Sequence, residues 1–177
     1  FISNISQNSS NIIYASIPPH QSSAHPFKPL SPYLDRIRVI KSPTEVKLIR
    51  KACEITKQSL SKVIKTVKPG LYERQIAARF ENECVNLGAT GLAYPIECQS
   101  GPNALCLHYI ENGRQLRDGE TLLIDAGCEY EHYASDFTRT VPIGRVPPRA
   151  LNVLQMVEGA KNDLVRSISA GNLTSFD

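Results

Sequence analysis

The sequence predicts an α+β fold in which amphipathic helices cover an antiparallel β-sheet. Two segments with helical spacing of apolar residues come first, and three β-type segments, separated by the turn signals Asn112-Gly113 and Asp118-Gly119, follow them. Helices followed by strands are typical of α+β architectures rather than of alternating βαβ units. With 177 residues, 41% of them hydrophobic, the chain is long enough for one ordinary domain and too short for two.

The first of the long helices is predicted to begin after Ser42 and to extend to about Thr66. Ser42 is a favourable N-cap, Pro43 suits the first helical position, and Glu45 stands where it completes a capping box. The predicted buried stripe consists of Val46, Ile49, Cys53, Leu60, Ile64 and Val67.

Two more helices are predicted, over 72–87 and from 151 to about 170. The first of them carries an apolar stripe and is followed by Gly88, a natural left-handed cap. Its stripe consists of Ile76, Phe80, Cys84 and Leu87. Between these helices, strands are predicted over residues 105–110, 121–130 and 132–143.

Residues 1–40 are predicted to be the remnant of an N-terminal domain with a linker, and residues 41–177 to form the main unit. The first segment has one short apolar patch, Ile12-Ile13-Tyr14, followed by a Pro/Ser-rich stretch. A segment of this kind buries too little apolar surface to form a core of its own.

The composition of the chain indicates which partners and which cellular location to expect. The 20 basic and 17 acidic residues form no run of like charge, so nucleic acid is not expected as a partner. No stretch approaches the roughly 20 consecutive apolar residues of a membrane span, so no membrane is expected either. The five cysteines lack paired spacing and predict buried free thiols in a reducing compartment. The expected location is cytoplasmic, with mitochondria as the alternative.

Two aspartates on neighbouring strands form a candidate metal site. Asp125 and Asp136 lie symmetrically about a connection centred between Tyr130 and Glu131, which predicts that they face each other across a hairpin. Like charges so placed, roughly 5 Å apart, are destabilising unless they are compensated. One or two divalent cations would neutralise both. Alternatively, one carboxylate pairs with Arg139 and the other accepts backbone N–H groups of the turn.

The residues around these aspartates resemble the pita-bread metallopeptidases, most closely the aminopeptidase P group. The resemblance is carried by Asp-Ala-Gly-Cys-Glu-Tyr at 125–130, Ser-Asp-Phe-Thr-Arg-Thr at 135–140, Leu-His-Tyr at 107–109 and Asp-Gly-Glu at 118–120. It covers roughly residues 33–145. It implies that the chain is the N-terminal half of a pita-bread catalytic domain.

The resemblance implies a metal-dependent aminopeptidase that releases an N-terminal residue preceding proline. Asp125 would ligate one metal and Asp136 would bridge two, with a hydroxide between the metals attacking the first peptide bond. His108 would be the catalytic and substrate-binding histidine. The implied cofactors are two divalent ions, manganese first, with cobalt or zinc as alternatives. The implied partners are peptides with proline at the second position, with homo-oligomerisation as a further option.

The other ligands of that family site, a histidine and two glutamates from the second half of the domain, are missing from this sequence. No histidine follows Asp136, and Glu158 is the only glutamate that does. The chain alone is therefore predicted not to be a competent enzyme. Two alternatives stay open: a non-catalytic relative or truncated isoform that binds peptide or a partner, and, among enzymes, prolidase.

The remaining polar and aromatic residues receive structural interpretations. Thr138 and Arg139 are predicted to hold the hairpin and the surroundings of the metal ligands. Tyr94 and Tyr109 are predicted to form core or pocket wall. The other histidines match no family ligand and are predicted to lie at the surface: His20, His25 and His132.

Overall fold

A computed structural model describes residues 29–169 of the chain. The chain divides into two units between Lys41 and Ser42. In the first unit, the described residues form helix α1, Ser31–Val39, which was not predicted from the sequence and which has no buried residues. Three predicted features lie outside the described residues: the patch Ile12-Ile13-Tyr14, the histidines His20 and His25, and the end of the last helix near residue 170.

Helix α2, Pro43–Ile64, opens the second unit with the predicted capping box. The Glu45 amide donates to Ser42 Oγ at 3.3 Å, and the Ser42 amide donates to Glu45 Oε2 at 2.6 Å. The buried face differs from the predicted stripe, because small polar residues occupy part of it. It consists of Ala52, Ile55, Thr56, Ser59, Leu60 and Val63.

Helix α3, Glu73–Asn86, has the predicted buried stripe at Ile76, Phe80 and Cys84. Gly88 follows it with φ of 92°, the left-handed conformation expected of a helix C-cap glycine. Glu73, in the first turn, is fully buried, which the sequence pattern did not indicate.

Six strands lie within residues 29–169: β1 Gly91–Leu92, β2 Glu97–Ser100, β3 Thr121–Ala126, β4 Cys128–Tyr130, β5 Tyr133–Ala134 and β6 Phe137–Pro142. They form two antiparallel three-stranded sheets, with orders β1-β4-β5 and β2-β3-β6. Helix α2 packs against α3, β4 and β5, and α3 packs against β1 and β2.

The predicted strands are only partly correct. The strand predicted over 105–110 is wrong, because a 3-10 helix, Gly101–Leu105, and an irregular loop occupy this region. Each of the other two predicted strands, 121–130 and 132–143, is in fact two strands that belong to different sheets. Gly127 lies at the break in the first of them. Strands β1 and β2 were missed, because they are short and flank a proline.

Alternation along β3 separates a core face from an open face. Leu122, Ile124 and Ala126 are buried in the core, whereas the side chains between them point to the other side of the sheet. Asp125 is one of these, so the sheet positions its carboxylate on the open face.

The last helix, α4, covers Pro148–Ser169 and begins three residues before the predicted start. Several of its large apolar side chains are exposed, among them Met156 and Val157. No helix in residues 29–169 is both long and apolar enough to cross a membrane.

All five cysteines are free thiols. Cys84, Cys98 and Cys128 are buried as predicted, and Cys53 is half-buried. Cys106 is exposed, contrary to the prediction, because it lies in the irregular loop rather than in a strand.

Candidate active site

The hairpin between β4 and β5 turns at Glu131 and His132, one residue later than predicted. Both residues have positive φ, 48° and 67°, as in a two-residue type I′ turn. Tyr130 pairs with Tyr133 across this turn. Neither turn residue is the Asn or Gly that usually marks such a turn, so the sequence offered no signal for its position.

This turn sets the relative position of the two aspartates. Asp125 pairs with Thr138 of β6, and Asp136 immediately precedes that strand. The prediction that Asp125 and Asp136 are directly opposed was therefore wrong by two residues of register. Because side chains alternate with a period of two, this shift keeps both carboxylates on the same face as diagonal neighbours.

The hydroxyl of Tyr94 joins the two carboxylates. It lies 2.6 Å from Asp125 Oδ1 and 2.8 Å from Asp136 Oδ1, so both oxygens converge on one donor. Burial raises the pKa of Tyr94 above its usual range, and the two carboxylates raise it further. The phenol therefore stays protonated at neutral pH. From the sequence, Tyr94 was predicted only to form core or pocket wall. Its contact with Asp136 could not be predicted, because the two residues are 42 positions apart and share no local pattern.

A cleft of about 430 Å³ contains these groups and the candidate histidine. Tyr94, Asp125, Asp136 and His108 all line it, so the predicted site residues share one cavity. His108 is exposed and has φ of 54°, a left-handed conformation that is uncommon outside glycine. The assignment of these side chains to metal and substrate remains a prediction.

Glu97 is a third carboxylate in the cleft, and no sequence pattern singled it out as a site residue. It lies directly opposite Asp125 on β2. Its Oε2 accepts a hydrogen bond of 2.9 Å from Gln99 Nε2, two residues along the same face. The alternation of β2 would have indicated this placement had the strand been predicted.

Arg139 does not neutralise either aspartate. It pairs with Ile124 and therefore leaves the sheet on the face opposite to Asp125. Its guanidinium donates to the Thr138 carbonyl at 2.7 Å and lies 5.6 Å from the centre of the Phe137 ring. The alternative in which Arg139 pairs with one of the aspartates, with no metal ion, is therefore not supported.

The donor chemistry of the cleft fits part of a divalent-metal site. Carboxylate oxygens are the hard ligands that Mn and Mg prefer, and two of them converge here. Within residues 29–169, no group of three or more His, Cys, Asp or Glu side chains is arranged to hold a metal ion. Asp125 and Asp136 would therefore hold such an ion only together with further ligands.

Comparison with known proteins identifies the family of this chain. The sequence model of metallopeptidase family M24 matches residues 47–175. The chain belongs to this family. Its fold is the pita-bread fold of the aminopeptidase P structures, in partial form, and the helices and antiparallel strands described above are that part of it.

The curated relatives of this chain include Xaa-Pro aminopeptidases. A probable Xaa-Pro aminopeptidase of Chaetomium globosum is 37% identical over 143 residues, which cover 80% of this chain and 24% of the relative. The Xaa-Pro aminopeptidase of Escherichia coli is 39% identical over 112 residues, 63% of this chain and 25% of the relative. The chain thus spans about a quarter of the length of these relatives.

Solved structures show the same relationship. Proline aminopeptidase P II from Yersinia pestis matches with a TM-score of 0.78 and 32% identity, covering 92% of this chain and 39% of that one. A variant of Escherichia coli aminopeptidase P in complex with substrate matches with a TM-score of 0.66 and 37% identity, covering 67% of this chain and 27% of that one.

Proposed function

We propose that the full-length protein is a metal-dependent aminopeptidase that removes an N-terminal residue preceding proline. The observation that carries this proposal is the convergence of Asp125 and Asp136 on the Tyr94 hydroxyl, in a cleft that also contains His108. The relatives named Xaa-Pro aminopeptidases support the same substrate class.

The proposed cofactors are two divalent cations, with manganese first and cobalt or zinc as alternatives. A zinc-substituted Escherichia coli aminopeptidase P in complex with product, 38% identical to this chain, supports a divalent-metal site of this kind. When bound, such cations polarise the scissile carbonyl and make a hydroxide available from water at neutral pH.

The residues of this chain have distinct tasks in the proposed reaction. Asp125 and Asp136 provide oxygen ligands on one side of the cleft. Tyr94 holds both carboxylates in position by donating to them, which is an orienting role of the kind played by outer-shell partners in metal sites. His108 donates a hydrogen bond to the substrate carbonyl as negative charge develops on its oxygen.

We further propose that this chain contributes only part of the site. Its two converging aspartates are fewer than the ligands a dinuclear centre needs, and the chain spans about a quarter of its curated relatives. The remaining ligands would come from elsewhere in the full-length protein. The proposed location is the cytoplasm, supported by five free thiols, which are typical of a reducing compartment.

The decisive experiment is hydrolysis of Phe-Pro-Ala, Phe-Ala-Ala and the dipeptide Phe-Pro by the full-length protein, before and after chelation and with manganese restored. We expect the protein to cleave the first peptide bond of Phe-Pro-Ala and no bond of Phe-Ala-Ala. This activity should be lost on chelation and regained when manganese is restored. Asp125→Asn and Asp136→Asn should each abolish it, whereas Asp163→Asn on the exposed face of α4 should not. Cleavage of the dipeptide Phe-Pro alone would instead indicate a prolidase, and no cleavage would indicate a binding protein.

A further inference from the structure

Glu73 is a fully buried carboxylate that the proposed chemistry does not use. It stands at the start of α3, where a negative charge is favourable near the helix N-terminus. Burying a carboxylate is costly unless its oxygens are well supplied with donors. The donors that surround Glu73 therefore indicate what this residue holds in place.

Among the described residues, all hydrogen-bond donors to the Glu73 carboxylate belong to the segment 100–114, which contains His108. Oε1 accepts from the Ser100 amide and hydroxyl, both at 2.7 Å, and from Asn103 Nδ2 at 3.0 Å. Oε2 accepts from the Tyr109 hydroxyl at 3.0 Å and from the Arg114 amide at 2.8 Å. One carboxylate thus ties both ends of the segment and the residue next to His108.

Apolar packing does not hold this segment. Leu105 and Leu107, which precede His108, are 90% and 88% exposed. The left-handed backbone at His108 is unfavourable for a side-chain-bearing residue and needs support from its neighbours. That support comes from Tyr109, whose hydroxyl also accepts the Gly113 amide at 3.1 Å.

We infer that Glu73 is a positioning residue that sets the place of His108 in the cleft through Tyr109 and the two ends of the segment. The inference rests on the proposed function for the role of His108. Glu73 touches neither the cleft nor its aspartates, so it acts only through the loop.

Glu73→Gln tests this without changing the size of the side chain. Each carboxylate oxygen of Glu73 faces a backbone N–H, Ser100 on one side and Arg114 on the other. The amide of Gln has only one oxygen, so in either orientation its NH₂ group faces one of these two backbone N–H groups. Two donors then face each other, and the backbone N–H loses its hydrogen bond. Tyr109→Phe removes a single hydroxyl and provides a milder variant, and Glu81→Gln, exposed on the same helix, is the matched control.

The first readout is a double-mutant cycle with His108→Ala in the full-length protein, measured as kcat/KM on an Xaa-Pro peptide. Misplacing a positioned group typically costs about tenfold to a hundredfold in rate, and we expect a loss of this size for Glu73→Gln and a smaller one for Tyr109→Phe. In the His108→Ala background, both losses should shrink to less than about twofold. Equal losses in both backgrounds would overturn the inference, because Glu73 would then only stabilise the fold.

The second readout is independent of activity. Amide hydrogen exchange of residues 104–110 should accelerate at least about tenfold in Glu73→Gln and Tyr109→Phe, while exchange in α2 and in Glu81→Gln stays unchanged. A wild-type protein that hydrolyses no Xaa-Pro peptide would refute the proposed function, but faster exchange confined to this segment would still support the positioning role. Unchanged exchange in Tyr109→Phe, or a uniform increase over the whole chain in both variants, would refute that role.

Discussion

Gly127 lies so close to the backbone of Ser135 that a Cβ atom at position 127 would be 1.9 Å from the Ser135 carbonyl oxygen. Ser135 directly precedes Asp136, and the same Cβ would lie 3.0 Å from the Tyr94 ring. Gly127, two residues after Asp125, therefore permits the close approach that places Asp136 and Tyr94 around that aspartate.

Gly127→Ala is expected to destabilise the chain by about 2–4 kcal/mol, because rigid backbone must move to admit the methyl group. Chemical denaturation followed by circular dichroism measures this change. Gly159→Ala on α4 is the control, because a Cβ there meets nothing within 4 Å. It should raise the free energy of unfolding by about 0.5–1 kcal/mol through better helix propensity. Equal stability of Gly127→Ala and wild type would contradict the close approach.

Tyr94→Phe should weaken manganese binding to the full-length protein by about tenfold or more, because both aspartates lose the donor that orients them. The free energy of unfolding should change by no more than about 1 kcal/mol, since only one hydrogen-bonding group is removed. Calorimetric titration and denaturation give the two values. Tyr33→Phe, in the first unit, is the control and should change neither. Unaltered manganese affinity in Tyr94→Phe would show that the hydroxyl does not organise the site.

The Arg114–Glu120 ion pair predicts a stability difference that depends on pH. Arg114 holds the pKa of Glu120 below its usual value through hydrogen bonds of 2.5 Å and 2.7 Å. A carboxyl whose pKa is lower in the folded state stabilises that state above its unfolded pKa, and this contribution is lost as the pH falls through the folded pKa. Glu120→Gln should therefore cost about 1 kcal/mol at pH 7 and nothing once the pH is below that lowered pKa.

Denaturation midpoints of wild type and Glu120→Gln between pH 7 and pH 2 provide the measurement. Glu81→Gln, whose side chain is exposed, should run parallel to wild type over the whole range. A difference between Glu120→Gln and wild type that grows on acidification would have the wrong sign and would refute the assignment.

Burial, rather than acidity, should decide which thiols react. Hydrogen bonds, led by that from Cys84, lower the pKa of Cys128 below its usual range, yet Cys128 is 0% exposed. A thiolate needs access as well as acidity to react. At pH 7, a disulfide reagent should therefore modify Cys106 first and Cys53 more slowly, and the other three only after denaturation. Cys106→Ser should remove the fast phase, and fast labelling that persists in this variant would contradict the burial of the other thiols.

The sequence by itself predicted the helices of the second unit and three residues that line the cleft, Asp125, Asp136 and His108. The capping box of Ser42 and Glu45 and the apolar stripe of α3 are local patterns, formed by residues a few positions apart. The aspartates were also recognisable, because their motifs lie within contiguous segments that resemble one family of metallopeptidases.

Tertiary structure alone decided how the site is assembled. The register of Asp125 and Asp136 depends on a turn at Glu131 and His132 that lacks the usual turn residues. Tyr94 reaches Asp136 across 42 residues of sequence, and Glu73 reaches Arg114 across 41. Such contacts depend on where the chain folds back in space, and the spacing of residues along a single helix or strand does not encode that.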